Sequence, residues 1–222
     1  MNSRIAFASA LAVAVAQSFA GTYYTDRTAF EIAAGSLVHE GFDGFAPGVD
    51  LNGASVGNAS FSTYGGGSTP LQVILGSAGV RNPMNPSSGL NVLSPGGSDP
   101  SAEADNLLVT FATDVQFAGM DVVFDVPDGA SFTSVTFLDA GNNTLFTDAF
   151  IPAPNGAPGY QFVGFGSNIA NIHSMKFNEF DGSAPDDNVA YDTLSYSAAV
   201  PEPATMAILG MGIAALIKRR KA

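Results

Sequence analysis

The chain has 222 residues, no cysteine, no tryptophan and a formal net charge of −12 at pH 7. Without cysteine there are no disulfides, thiolate nucleophiles or Cys-ligated metal centres, and the acidity excludes nucleic-acid binding, which needs clustered Lys or Arg. The charge is uneven: five of the eight basic residues lie in the first 20 and last 23 positions, leaving Arg27, Arg81 and Lys176 against nineteen acids, a net −16 between the two ends.

Met1 to Ala20 reads as a secretory signal peptide. Arg4 and the free amine supply the positive start, Ile5 to Ala16 the apolar centre, and Ser18-Phe19-Ala20 a small-x-small site that predicts cleavage before Gly21. The next segment, Thr25 to Ala34, predicts the one helix, with Thr25 or Asp26 as N-cap and Gly35 as terminator. Thr28 and Glu31 also have capping-box spacing, which would start the helix later.

From Ser36 onward, short Val-, Phe-, Leu- and Thr-rich segments alternate with Gly, Pro, Asn, Asp and Ser clusters, the pattern of an all-β domain. Leu37–Phe42, Ala59–Tyr64, Leu71–Leu75 and a short piece at Leu90–Leu93 are candidate strands, and residues 76–104 are loop-like. Asn106–Phe111, Val115–Val126, Ser131–Leu138, Thr144–Ile151, Tyr160–Phe165, Ile169–Asn178 and Val189–Ser197 complete about ten strands. Asp139-Ala-Gly-Asn-Asn143 is a hairpin connection, since Gly and Asn tolerate positive φ. Ser131–Leu138 and Ile172–Phe177 do not alternate strictly, which points to a bulge or a two-sided core. With no βαβ pattern and 17 phenylalanines to bury, the expected fold is an antiparallel β-sandwich, one domain over residues 21–199.

The last 23 residues have their own order. Pro201-Glu202-Pro203 leads into an uncharged, mostly apolar run from Ala204 to Ile217, and Lys218, Arg219, Arg220 and Lys221 close it. Prolines favour an extended, accessible backbone, and the cations hold the far end of an apolar segment on the cytoplasmic side. As a helix the run is about 21 Å long, short of the roughly 20 residues of a comfortable span. It suits transient attachment better than a permanent anchor, although an ordinary C-terminal anchor is the plainer alternative.

This tail resembles the PEP-CTERM sorting signal of Gram-negative bacteria. The resemblance implies an exosortase that recognises the Pro-Glu-Pro and removes the tail, with transient inner-membrane attachment followed by the cell surface or extracellular matrix. A second resemblance spans much of the domain. Thr25-Asp-Arg-Thr-Ala-Phe-Glu31, Val38-His-Glu-Gly-Phe-Asp-Gly-Phe-Ala-Pro-Gly48 and Val189-Ala-Tyr-Asp-Thr-Leu-Ser-Tyr196 look like the opening and closing segments of PEP-CTERM ectodomains. Such domains are similar to the jelly-roll sandwiches of carbohydrate-binding modules and lectins. That likeness implies a structural calcium where an early-strand acid meets one on the last strand, here Glu40 or Asp43 with Asp192. Calcium takes six to eight oxygens, so carboxylates with carbonyls and waters suit it; a plain hydrogen-bonded Asp192 is the alternative.

Other candidates carry less. Asp181 to Asn188 is acidic but lacks EF-hand order, and Asp121 and Asp125 share a strand face, with Asp128 beyond. His39 and His173 have no zinc spacing, and no GxSxG marks a serine nucleophile. Tyr64, beside three glycines, and Tyr160, after Pro158-Gly159, are the rings placed to stack on a sugar. The leading expectation is a non-enzymatic exported protein, structural or adhesive in exopolysaccharide or biofilm. The alternatives are a calcium-dependent carbohydrate-binding module and, without a recognisable nucleophile or metal motif, a secreted hydrolase.

Overall fold

The structure, a computed structural model, describes residues 21–65, 70–78, 84–97, 106–124, 133–150, 159–179 and 189–198. The expected leader, the Asp181 to Asn188 cluster, Asp125, Asp128 and the sorting tail lie outside these residues. Among the described residues no helix is long and apolar enough to cross a membrane.

Two antiparallel sheets pack face to face, as the alternating patterns require. The first runs in the order β1 (Gly21–Tyr24), β11 (Gly159–Ser167), β8 (Phe117–Phe124), β13 (Val189–Ser197), β6 (Asn91–Pro95) and β5 (Leu71–Leu75), with β2 (Leu37–Glu40) also paired to β13. The second runs β10 (Thr144–Phe150), β9 (Thr133–Leu138), β12 (Ile172–Glu179), β7 (Leu107–Val115), β4 (Ala59–Thr63) and β3 (Ser55–Val56). Phe61, Phe111, Phe137, Phe177, Phe165 and Tyr191 meet between the sheets in one core. Within β9, Thr133, Val135 and Phe137 face inward in strict alternation. The mixed pattern of β12 has a local cause: its register against β7 shifts between Ile172 and Ser174.

The helix α1 (Arg27–Ala34) begins where a cap allows it. The Asp26 side chain accepts the Ala29 N–H at 2.7 Å, so Asp26 rather than Thr28 is the N-cap, and Gly35 ends the helix at φ 71°. Its buried residue, Phe30, packs edge-on against Phe117 and at 5.0 Å from Phe162, both on the outer face of the seven-stranded sheet. The helix comes this close because Gly164 lies beneath it: a Cβ there would stand 2.9 Å from both the Phe30 and Phe162 rings. Beside it, Met84 closes over Ile74, Val92, Val123 and Ala190 in a second small core. Helix α1 and Met84 thus cover the outer face of this sheet, while none of the described residues packs over that of the six-stranded sheet.

Candidate functional site

On the outer face of the six-stranded sheet, side chains from three neighbouring strands and two adjoining connections surround a cavity of about 350 Å³. Leu108 and Thr110 come from β7, His173, Ser174 and Lys176 from β12, and Leu138 from the end of β9. Tyr64 follows β4, and Asn142 sits on the β9–β10 hairpin. Period-two alternation explains the set. Val109, Met175 and Phe177 turn into the core, so Leu108, Thr110, Ser174 and Lys176 must turn out. The hairpin is held by Asp139, whose carboxylate accepts the N–H groups of Gly141 at 2.9 Å and Asn143 at 2.8 Å. Hydrogen bonds from Asn143 hold the exposed Asp139 carboxyl below its ordinary range. Asn142 takes the left-handed conformation at φ 61° that the turn needs.

Tyr64 is fixed rather than free. Its hydroxyl donates to the Phe177 carbonyl, burial pushes its phenol above the ordinary value, and the Lys176 ammonium stands 4.4 Å from its ring centroid. At one end of the cavity His173 Nδ1 lies 2.9 Å from the Asp114 carboxylate. The volume is at the lower end of small-ligand sites. Chemically it offers an apolar floor from Leu108 and Leu138, hydroxyl and amide partners from Thr110, Ser174 and Asn142, and one cation.

Tyr160 is elsewhere. It is 52% exposed on β11 of the other sheet, so Tyr64 and Tyr160 form no common platform.

The acids expected around a calcium are distributed differently. Asp192 is fully buried and accepts hydrogen bonds from the Ser88 N–H at 2.8 Å, the Ser87 hydroxyl at 2.9 Å and the Thr193 N–H at 2.7 Å. Asp43 accepts the N–H groups of Leu90 and Asn91 at 2.7 and 3.0 Å. Glu40 pairs across the ladder with Leu194, a core residue, and has the Tyr196 hydroxyl 3.4 Å away. Glu40 and Asp192 thus lie on opposite faces of the sheet. Among the described residues no three His or acidic side chains gather in one place.

Instead, Asp192 stands directly across from Asp121 on β8, and both are almost wholly buried. Arg27 of α1 reaches over them. It donates to Asp121 at 2.7 Å, to the Thr193 carbonyl at 3.1 Å and to the Ser195 hydroxyl at 2.8 Å, with its guanidinium 4.6 Å from the Phe162 ring centroid. Burial pushes the Asp121 carboxyl up, and the facing Asp192 adds to the rise against the pull of Arg27. A bulge makes the arrangement possible. The β13–β8 register shifts between Asp192 and Ser195, and Thr193 takes a positive φ of 40°. The extra residue turns both Asp192 and Ser195 outward while Leu194 stays in the core.

His39 Nδ1 lies 2.9 Å from the Ser195 hydroxyl, a pairing that sequence spacing does not suggest. Ser195 is completely buried, however, and Arg27 already donates to it. Its oxygen therefore faces protein groups rather than a substrate carbonyl, and the Asp121–Asp192 pair is likewise enclosed beneath Arg27, Ser87 and Ser88.

Comparison with known proteins reports on the C-terminal end. The PEP-CTERM protein-sorting motif matches residues 199–221. No curated protein matches the chain. Among solved structures it is similar to the K2 cleaved adhesin domain of Lys-gingipain, at 11% identity over 73% of this chain and 98% of that one, with a TM-score of 0.48. The K3 cleaved adhesin domain of Lys-gingipain from Porphyromonas gingivalis w83 follows at 10% identity over 72% and 97%, with a TM-score of 0.43. The CBM22-1–GH10 modules of Clostridium thermocellum xylanase 10B, complexed with xylohexaose, match at 12% identity over 74% and 28%, with a TM-score of 0.36.

Proposed function

We infer that this exported, exosortase-sorted chain, which carries a PEP-CTERM protein-sorting motif, acts as a non-catalytic structural or adhesive component of the cell surface or extracellular matrix, in contact with exopolysaccharide. The observation that carries this reading is the motif at residues 199–221, ending in Lys218, Arg219, Arg220 and Lys221. The burial of Ser195 and of the paired aspartates supports a non-catalytic role, because neither group is open to a substrate. The test is deletion of residues 200–222 followed by fractionation of the producing cell. The truncated chain should lose its surface or matrix position and its proteolytic processing. Unchanged location and processing would remove the basis of the reading.

The cavity on the six-stranded sheet favours a second reading, a carbohydrate-binding module. A pyranose presents an apolar C–H face and a rim of hydroxyls, which fits Leu108 and Leu138 below Thr110, Ser174 and Asn142. A glycan screen on purified residues 21–199, repeated with Tyr64→Ala and Lys176→Ala, tests it. Specific binding weakened about tenfold by either change supports this site, each tenfold step being about 1.4 kcal/mol. No binding by the parent domain removes it.

A further inference from the structure

The two junctions between the folded domain and its expected processed segments emerge at one end of one sheet. Gly21, which follows the expected leader cleavage, pairs with Ser167 at the end of β11. Gly166 pairs with Phe117 at the start of β8, Ala118 pairs with Tyr196, and β13 ends at Ser197. Gly21 and Ser197 are thus three strand spacings apart, about 14 Å at roughly 4.8 Å each. Had β1 entered from the other end, the junctions would be separated by a strand length, about 27 Å for eight residues.

Charge divides along the same axis. The connections at this end, 35–36, 57–58, 116, 139–143, 168–171 and 198, contain one acid, Asp139. Asp114 at this end lies 2.9 Å from His173 Nδ1, Asp139 is bonded within its own hairpin in its charged form, and the Glu40 carboxylate reaches the rim beside Gly57, so this end carries fewer acids than the other but is not free of them. The connections leaving the opposite ends of the strands carry Asp99, Glu103 and Asp105 between β6 and β7, Asp125 and Asp128 between β8 and β9, and the Asp181 to Asp187 cluster between β12 and β13.

The tether is short. Six residues, 198 to 203, separate Ser197 from the apolar run that starts at Ala204, at most about 20 Å even when fully extended. That is more than two Debye lengths at physiological salt, where lipid charge is already largely screened, so the short reach of the tether rather than charge keeps this end beside the bilayer.

We propose that this end of the sandwich, with Gly21, Gly57, Thr113, Asn168, Ile169 and Ala198 exposed on its rim, rests against the bilayer surface while the tail is still attached. The strands then point away from the membrane. Both segments can occupy the membrane with the sandwich fully closed, β1 included, so neither cut has to precede folding. The proposal rests on reading residues 1–20 as a leader and 200–222 as a sorting tail.

The two ends of β11 provide the test. The cysteine-free full chain is reconstituted without exosortase into phosphatidylethanolamine–phosphatidylglycerol vesicles, as Asn168→Cys or Tyr160→Cys labelled with a fluorophore. Both positions are exposed, and they lie about 26 Å apart along the strand direction. Headgroup-attached quenchers should quench the label at 168 severalfold more than that at 160. Equal or reversed quenching overturns the orientation. Deleting 200–222 from a chain that begins at Gly21, so that the apolar leader cannot hold it, separates the two levels of argument. Retention of the truncated chain on vesicles would sink the tail reading and the proposal together, whereas release combined with equal quenching would sink only the proposal.

Discussion

Asp121 is the residue where sequence composition and folded environment differ most. One acid among twenty looks unremarkable, yet the fold places it opposite Asp192 with 1% exposure, offset by the Ser87 hydroxyl and the Arg27 guanidinium. Its carboxyl is raised by burial, so the folded state holds a proton that the unfolded chain releases at lower pH. Between the unfolded value of about 3.9 and the raised folded value, the native state therefore binds more protons, and this group makes stability fall as pH rises. Asp121→Asn should abolish that part of the slope while keeping an acceptor for Arg27. Melting temperatures measured from pH 4 to 7 would show the slope in the parent and its loss in the variant; identical slopes would mean Asp121 is not the responsible group.

At the scale of elements, the helix and its sheet are fitted through Gly164. A methyl group there meets the Phe30 and Phe162 rings at 2.9 Å, tighter than packed carbons accept, and overpacking of this kind costs about 1–3 kcal/mol. Gly164→Ala should lower the urea midpoint accordingly without changing the fold seen by circular dichroism. Restoration by Phe30→Leu would locate the strain between α1 and β11.

The elements also show what could be read from the chain alone. Local chemistry was legible: Gly35 stops α1, Asn142 turns the β9–β10 hairpin, and the Val-, Phe- and Leu-rich runs became strands within a few residues. The sandwich followed from their number and alternation. β1 and β3 were not legible, since Gly21-Thr-Tyr-Tyr24 and Ser55-Val56 are too short to show a period and are strands only through β11 and β4. Of the candidate site, Tyr64 was legible from its glycine-rich flank, but the residues that join it come from β7, β9 and β12. The Asp121–Asp192 facing, the Arg27 bridge and the His39–Ser195 pair all depend on registers across separations of about 70 residues or more. They also need one bulge at Thr193 that no pattern in Val189–Ser197 announces.

At the scale of the whole molecule, the net −16 of the region between the two ends is unevenly spread and mostly unpaired in sequence, since only three cations accompany it. Self-repulsion of this kind is relieved by screening. The melting temperature of residues 21–199 should therefore rise between 10 mM and about 500 mM sodium chloride, over which range the Debye length falls from about 30 Å toward a few Å. A flat response would show that the acids are too far apart to repel one another. Calcium and magnesium compared at matched ionic strength separate screening from coordination. A rise particular to calcium would mark a specific site, and equal rises would mark screening alone.

The position of β13 has a consequence for biosynthesis. This strand is bonded to β8 on one side and to β6 and β2 on the other, so it joins two parts of the seven-stranded sheet that otherwise do not touch through hydrogen bonds. Among the described strands it is also the last to be translated and to emerge from a translocation channel. Until residue 197 has crossed, β1, β11 and β8 form one fragment and β5 and β6 another, and Asp121, paired on one side with Phe162 of β11, lacks Asp192 on the other. Completion of the sheet and arrival of the sorting tail are then nearly simultaneous events. A prematurely terminated chain would lack both, and nascent-chain proteolysis should find protection appearing abruptly at the end of synthesis rather than accumulating along it.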